Sequence, residues 1–267
     1  MTLGFLGTGA ITEAIVNGLS SPDGPAHPIR LSPRNAILAA ALAAQYDNVS
    51  VCVSNQAVLD ASDTVVLAVR PQVTPEILSE LHFSANHTVI SLVAGFSVLR
   101  IADLVKPATL ISRAIPLPSV AQRRSPIAVY PSRSAAAGLF EPLGRVFGLD
   151  TEAHLNAFST ATSTMAAYFA FMGQISSWVA AKGIPEQQAQ EYIAQLFAGL
   201  AGTGLEESGQ SAASLAAAHS TPGGLNEQVL RHLTTHGVFD ILTEALDAVH
   251  LRASGFPSAS PTAEKSE

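Results

Sequence analysis

Leu3-Gly4-Phe5-Leu6 is an apolar run of single-strand length, and it leads without a spacer into Gly7-Thr8-Gly9. From Ala10 the pattern turns helical, with Ile11, Ala14, Ile15 and Leu19 on one face. Strand, glycine turn and helix together form the geometry of a dinucleotide-binding βα unit. Gly7 permits the tight turn, and Gly9 lets the backbone approach a pyrophosphate. The first amides and the dipole of the following helix then favour negative charge. Cofactor contacts are expected from Leu6, Gly7, Thr8, Gly9, Ala10 and Ile11. The third fingerprint position, normally glycine or alanine, is Thr12. Because Gly-x-Gly beside a strand is also a common turn, the rest of the chain has to decide.

Ile29-Arg30-Leu31 is predicted as the second strand, and Ser32-Pro33-Arg34-Asn35 follows it. An NAD site places Asp or Glu at this point to hold the ribose 2′-hydroxyl, whereas an NADP site wants cations and hydroxyls. No carboxylate is present, so Ser32 and Arg34 are read as ligands of a 2′-phosphate, Arg34 through its planar fork. The plainer reading of Arg34 is a solvated residue in the first turn of a surface helix. A helix over 35–46, a third strand at Val49-Ser50-Val51 and a short helix from Ser54-Asn55 come next, with Asn55 placed as a cap or ligand contact. The continuous apolar run from Thr64 to Val69 suits a parallel strand covered on both faces. It closes in Ala68-Val69-Arg70-Pro71-Gln72, where Pro71 stops the strand and opens a helix. Residues 88–92 form a fifth strand ending at Val93-Ala94-Gly95, residues 109–113 a sixth, and 127–130 another, with a helix over 135–147. This alternation predicts a doubly wound parallel sheet of Rossmann type. Right-handed crossovers would put every strand's C-terminal end on one ligand-facing edge. Ala68, Val69, Arg70, Pro71, Ala94 and Gly95 then join the glycine loop as cofactor contacts.

The strand signal stops at Asp150. Helices are predicted over 151–181, 185–207, 225–236 and 238–251, with a frayed tail beyond. The expected organisation is a dinucleotide-binding domain over 1–150, an all-helical dimerisation and substrate domain over 151–253, and a disordered tail over 254–267. Leu155–Ala181 carries no charge but holds Asn156, Gln174 and several Ser and Thr, too polar for a bilayer span. Its Tyr168, Phe169, Phe171, Met172, Ile175, Trp178 and Val179 cover more than one helix face, which predicts an obligate homodimer. Further on, Thr221 is read as an N-cap and Pro222 as a first helical residue. Gly223 and Gly224 would then offer first-turn amides to a carboxylate, the plainer alternative being a hinge.

Composition narrows the classes. The 267 residues are 48% hydrophobic and 13% charged, which implies an extensive buried surface shared between subunits. A net charge of −7, with no basic run beyond Arg123-Arg124, argues against nucleic acid or anionic membrane as partner. The single Cys52 rules out an internal disulfide and reads as a buried core thiol. His232, His236 and His250 share helical spacing without a Cys or carboxylate cluster, so no metal is expected. No leader-like segment precedes Leu3, and a cytoplasmic location is expected.

Five ordered motifs coincide with one family. They are Gly7-Thr8-Gly9-Ala10-Ile11, Ala68-Val69-Arg70-Pro71-Gln72, Ser91-Leu92-Val93-Ala94-Gly95, Arg113-Ala114-Ile115-Pro116-Leu117-Pro118-Ser119, and Thr221-Pro222-Gly223-Gly224-Leu225-Asn226. On these the chain resembles the pyrroline-5-carboxylate reductases from Leu3 to about Leu251. The departures fall in the substrate motifs: Leu117-Pro118-Ser119 lacks the family's Asn-Thr pair, Thr162–Tyr168 replaces Ser-Gly-Ser-Gly-Pro-Ala-Tyr, and Leu225-Asn226 replaces Thr-Thr.

The resemblance implies hydride transfer from NADPH to the carbon of a cyclic imine, with 1-pyrroline-5-carboxylate becoming proline. It implies a homodimer with interlocking long helices, and larger assemblies built from dimers. Thr221, Gly223, Gly224, Leu225 and Asn226 would hold the substrate, with Asn226 at the position whose threonine bonds the ring nitrogen. His219 is a weaker candidate as proton donor. The altered substrate motifs also admit a catalytically silent relative that binds a nucleotide as a sensor or interaction module. A reductase of small carbonyl acids is disfavoured because the long helix lacks a lysine.

Overall fold

The computed structural model describes Met1–Ser254, so the tail expected over 254–267 lies, but for its first residue, outside the described residues. Two compact units emerge: Met1–Ser159 together with 250–254, and Thr160–Val249.

The first unit runs β1 (Leu3–Leu6), α1 (Ala10–Leu19), β2 (Ile29–Leu31), α2 (Ala36–Gln45), β3 (Val49–Val51), α3 (Asn55–Asp60), β4 (Thr64–Leu67), α4 (Thr74–Ser79), β5 (Thr88–Ser91), α5 (Val98–Leu104), β6 (Leu110–Ile115), β7 (Ser125–Tyr130), α6 (Ala135–Phe140), β8 (Gly144–Gly148) and α7 (Glu152–Thr162), the last crossing into the second unit. The strands form one sheet in the order β3-β2-β1-β4-β5-β6-β7-β8. Reversal of strand order around β1 and β4 is the doubly wound arrangement, and it places a ligand crevice at the carboxyl ends of these strands. Period-two alternation splits the side chains between two cores. Phe5, Leu31, Val66 and Ile90 pack with Ile15, Leu19, Leu42 and Phe140 from α1, α2 and α6. Leu6, Val65, Leu67 and Val89 pack on the other face with Leu59, Leu78 and Ile101 from α3, α4 and α5. Every residue of β1 and β4 is buried, as a strand covered on both faces requires.

Three expectations are corrected here. β7 runs antiparallel to β6, and β8 runs parallel to β7, so these two point their carboxyl ends away from the crevice. The connection over 116–124 is too short for a crossover, which takes about a dozen residues. Second, the helix expected over 135–147 stops at Phe140; a 3₁₀ turn at Glu141–Leu143 then leads into β8. Third, the long helix expected over 151–181 is two, α7 and α8 (Met165–Ala180). At the break the hydroxyls of Ser163 and Thr164 donate to the carbonyls of Thr160 and Ala161, offering the backbone an alternative to the helical ladder.

The second unit is all helical: α8, α9 (Glu186–Glu206), α10 (Ala212–Ala218), α11 (Leu225–Thr235) and most of α12 (Val238–Ala253). The short α10 was not anticipated from the sequence. Phe197 of α9 meets Tyr168 and Phe171 of α8 edge-on, with ring centroids 5.8 and 5.9 Å apart. Within the single chain the unit leaves large apolar groups uncovered, among them Phe169, Trp178, Tyr192 and Val229. No helix among the described residues is long and apolar enough to cross a membrane.

Candidate active site

At the end of β1 the backbone turns sharply, and Gly7 takes φ +99°. An added Cβ there would lie 2.5 Å from the Ala68 carbonyl oxygen, so both conformation and space demand glycine. Gly9 is different. It caps α1 with extended backbone (φ −116°), and an added Cβ would meet nothing within 4 Å. Among the described residues none fills the space next to Gly9. The first amides of α1 have no acceptor one turn back, leaving donors for an anion.

Four side chains hold this loop. The Gly7 N–H donates to Ser32 Oγ (2.9 Å), and Thr8 Oγ1 donates to the Ser32 carbonyl (2.9 Å). Thr12 Oγ1 donates to the Gly7 carbonyl (2.7 Å), and Asn35 Nδ2 donates to the Thr8 carbonyl (3.1 Å). Thr12, at the fingerprint position that normally lacks a hydroxyl, is fully buried and closes the loop onto the helix. Ser32 is 1% exposed, whereas its neighbour Arg34 is exposed.

The other nominated cofactor residues sit at neighbouring strand ends. Ala68 N–H donates to the Leu6 carbonyl (2.8 Å), tying the end of β4 to that of β1. Pro71 opens a 3₁₀ turn after an exposed Arg70, and Gly95 turns with φ +72° beside an exposed Ala94. Asn55 is the first residue of α3, but the cap is Ser54, whose hydroxyl accepts the Ala57 N–H (3.1 Å). Asn55 is therefore not the cap of this helix. The topology therefore gathers Leu6–Ile11, Ser32, Arg34, Asn55, Ala68–Pro71 and Ala94–Gly95 at the carboxyl ends of β1 to β5.

A partly buried ion pair lies in the same unit, and it escaped the sequence reading. Arg113, 4% exposed at the end of β6, meets Glu152 Oε1 of α7 at 2.7 Å and Asn156 Oδ1 at 3.2 Å. The same Glu152 oxygen accepts the Val98 N–H at the start of α5 (2.8 Å). Glu152 thus ties together β6, α5 and α7. Cys52 is half-buried rather than a core thiol. Burial raises its pKa against the opposing pull of Arg30, so it stays an uncharged thiol and a poor nucleophile.

In the second unit, Thr221–Gly224 is a turn that precedes the helix. Pro222 and Gly223 (φ +75°) are its central residues, and the Gly224 N–H donates to the Thr221 carbonyl (2.8 Å), the pattern of a type II turn. The N-cap is therefore Gly224 and not Thr221 as expected, and α11 starts at Leu225. The Gly223 N–H donates to Glu227 Oε2 (2.7 Å), so a carboxylate already sits on this amide. Asn226 Nδ2 donates to the His219 carbonyl (2.9 Å), which fixes the amide's orientation and leaves Oδ1 as an acceptor. Asn226 also lines an apolar groove of about 700 Å³ with Trp178, Leu196, Val229 and Leu230.

Comparison with known proteins matches this arrangement in both halves. Residues 2–95 fit the family model described as NADP oxidoreductase coenzyme F420-dependent, and residues 152–256 fit that of pyrroline-5-carboxylate reductase dimerisation. The pyrroline-5-carboxylate reductase of Vibrio alginolyticus is 28% identical over 262 residues, spanning 94% of this chain and 96% of that protein. Pyrroline-5-carboxylate reductase 3 of Xenopus laevis is 27% identical, with 95% of each chain covered. The crystal structure of 1-pyrroline-5-carboxylate reductase from Streptococcus pyogenes superposes with a TM-score of 0.83 at 25% identity, covering 96% of this chain and 99% of that one. A nucleotide-type sheet followed by a matching dimerisation region, in the right order and over nearly the whole length, makes this chain similar to the pyrroline-5-carboxylate reductases from end to end.

Proposed function

We propose that this protein is an NADPH-dependent reductase that converts 1-pyrroline-5-carboxylate, or a closely related cyclic imino acid, to the corresponding secondary amine, proline in the first case. The observation that carries this reading is the open loop over Gly9. It is a cradle of helix-start amides with, among the described residues, no neighbour within 4 Å of a Cβ added at Gly9, flanked by the exposed Arg34 in a β2 end, Ser32-Pro33-Arg34-Asn35, that carries no carboxylate. These residues suit a dinucleotide with a 2′-phosphate, and the family models and named relatives support the same class of reaction.

When bound, NADPH supplies a hydride to the imine carbon. The chain's own task is to bind and orient the substrate and to keep the imine protonated. A protonated imine presents an N–H donor. Asn226, whose Nδ2 is engaged with His219, offers Oδ1 as the complementary acceptor. Hydride addition to that cation yields the neutral amine, so no separate acid is required. The substrate carboxylate would take the Gly223 amide from Glu227, with Thr221, Gly224 and Leu225 shaping the turn.

We assign the nucleotide to residues 1–150 and dimerisation to 151–253. The groove lined by Trp178 (61% exposed) and Val229 (60%) leaves apolar surface that a second copy would cover, which supports a homodimer. The test is NADPH oxidation against five- and six-membered cyclic imino acids. NADPH binding without turnover of any of them would overturn the assignment in favour of a silent nucleotide-binding relative.

A further inference from the structure

The dinucleotide reading assigns Ser32 and Arg34 together to the 2′-phosphate, but their surroundings differ sharply. Ser32 is 1% exposed, and its hydroxyl is spent inside the protein. Ser32 Oγ accepts the Gly7 N–H at 2.9 Å and lies 3.2 Å from Thr8 Oγ1, while the Ser32 carbonyl accepts from that same threonine hydroxyl at 2.9 Å. On the other side of Gly7, the carbonyl accepts from the buried Thr12 at 2.7 Å. Gly7 therefore has both of its peptide groups held by side chains, one from α1 and one from the end of β2. Its left-handed φ of +99° is fixed from two directions.

We infer that Ser32 is a positioning residue for the pyrophosphate loop rather than a phosphate ligand, and that discrimination for the 2′-phosphate rests on Arg34. This inference builds on the proposed NADPH site and divides its labour. The Ser32 hydroxyl sets the path of Gly7–Gly9, which any dinucleotide would use. The exposed Arg34 guanidinium meets only a cofactor that carries the extra phosphate.

The two roles separate with a fragment that has the 2′-phosphate but no pyrophosphate. Ser32→Ala should weaken NADPH and NADH by the same factor, roughly tenfold for one lost buried bond, and leave 2′-AMP binding unchanged. Arg34→Ala should weaken NADPH and 2′-AMP while sparing NADH. Retained 2′-AMP binding also shows that the variant is folded, a readout that general destabilisation would not preserve. Should Ser32→Ala fail to fold, Ser32→Cys keeps the shape with a far weaker acceptor and should show the same pattern to a smaller degree. A Ser32 variant that loses 2′-AMP in step with NADPH, or that binds NADPH as wild type does, overturns the inference and leaves the cofactor assignment standing. Wild-type protein that binds neither NADPH nor 2′-AMP overturns both.

Discussion

The glycine loop allows a paired test in which two alanine substitutions, two residues apart, have opposite consequences. At Gly7 the backbone has φ +99°, which costs an L-residue about 1–2 kcal/mol. The new Cβ would also lie 2.5 Å from the Ala68 carbonyl, and a strand-end backbone has little freedom to move; such overpacking costs about 1–3 kcal/mol. The sum, about 2–5 kcal/mol, corresponds to a melting temperature lower by roughly 10 °C for a unit of this size. At Gly9 the backbone is extended and the space is empty. The entropy gained by losing a glycine from the unfolded chain offsets a poorer N-cap, and the net change stays within about 0.5 kcal/mol. The methyl group would instead stand where the pyrophosphate lies, costing at least about 1.4 kcal/mol, or tenfold in NADPH affinity. Thermal melts and fluorescence titration with NADPH read the two effects separately. A Gly9→Ala protein that binds NADPH like wild type refutes the reasoning, and so does a Gly7→Ala protein with an unchanged melting temperature.

Further outcomes follow from other parts of the structure. Arg113→Ala leaves the partly exposed Glu152 without its cation and should cost about 2 kcal/mol, seen as a lower denaturant midpoint; an unchanged midpoint counts against the network. Glu227→Gln removes the internal carboxylate from the Gly223 amide, so KM for pyrroline-5-carboxylate should fall a few-fold with kcat unchanged, whereas KM for carboxylate-free 1-pyrroline should not move. His27 has its pKa lowered from 6.5, first by burial and then by the nearby amino terminus, so folding favours the neutral ring. Its contribution to stability is present above 6.5 and is lost as pH falls through that value towards the folded-state pKa; a proton NMR titration placing the imidazole at or above 6.5 contradicts this.

Much of the first unit was legible because parallel strands covered on both faces leave continuous apolar runs, as in Thr64–Leu67, and because Pro71 and Gly95 punctuate their ends. Strand direction is not written in side-chain pattern, and β7 was misjudged for that reason; the short connection over 116–124 was the available signal. β8 was hidden because alanine-rich 135–140 sets a helical rhythm that Phe147 happens to continue. The loop's supports were invisible in principle. Ser32 and Gly7 are 25 residues apart, and Arg113 and Glu152 are 39 apart, so only the folded sheet brings each pair together.

Two glycine pairs that look alike in sequence carry different information once the backbone is known. Gly223 and Gly224 are explained by the turn itself: the first needs φ +75°, and a Cβ on the second would lie 2.8 Å from the Thr221 carbonyl. Their presence is no evidence for a ligand, and Gly224→Val would disturb the turn before it blocked anything. Gly7 is likewise explained by the chain. Gly9 has neither a special φ nor a near neighbour among the described residues, so the fold itself does not demand glycine there. At the second turn the informative residue is Glu227, a carboxylate seated on the Gly223 amide. That contact shows the charge and geometry the amide accepts, which makes Glu227 and Gly9 the positions where function is best separated from folding.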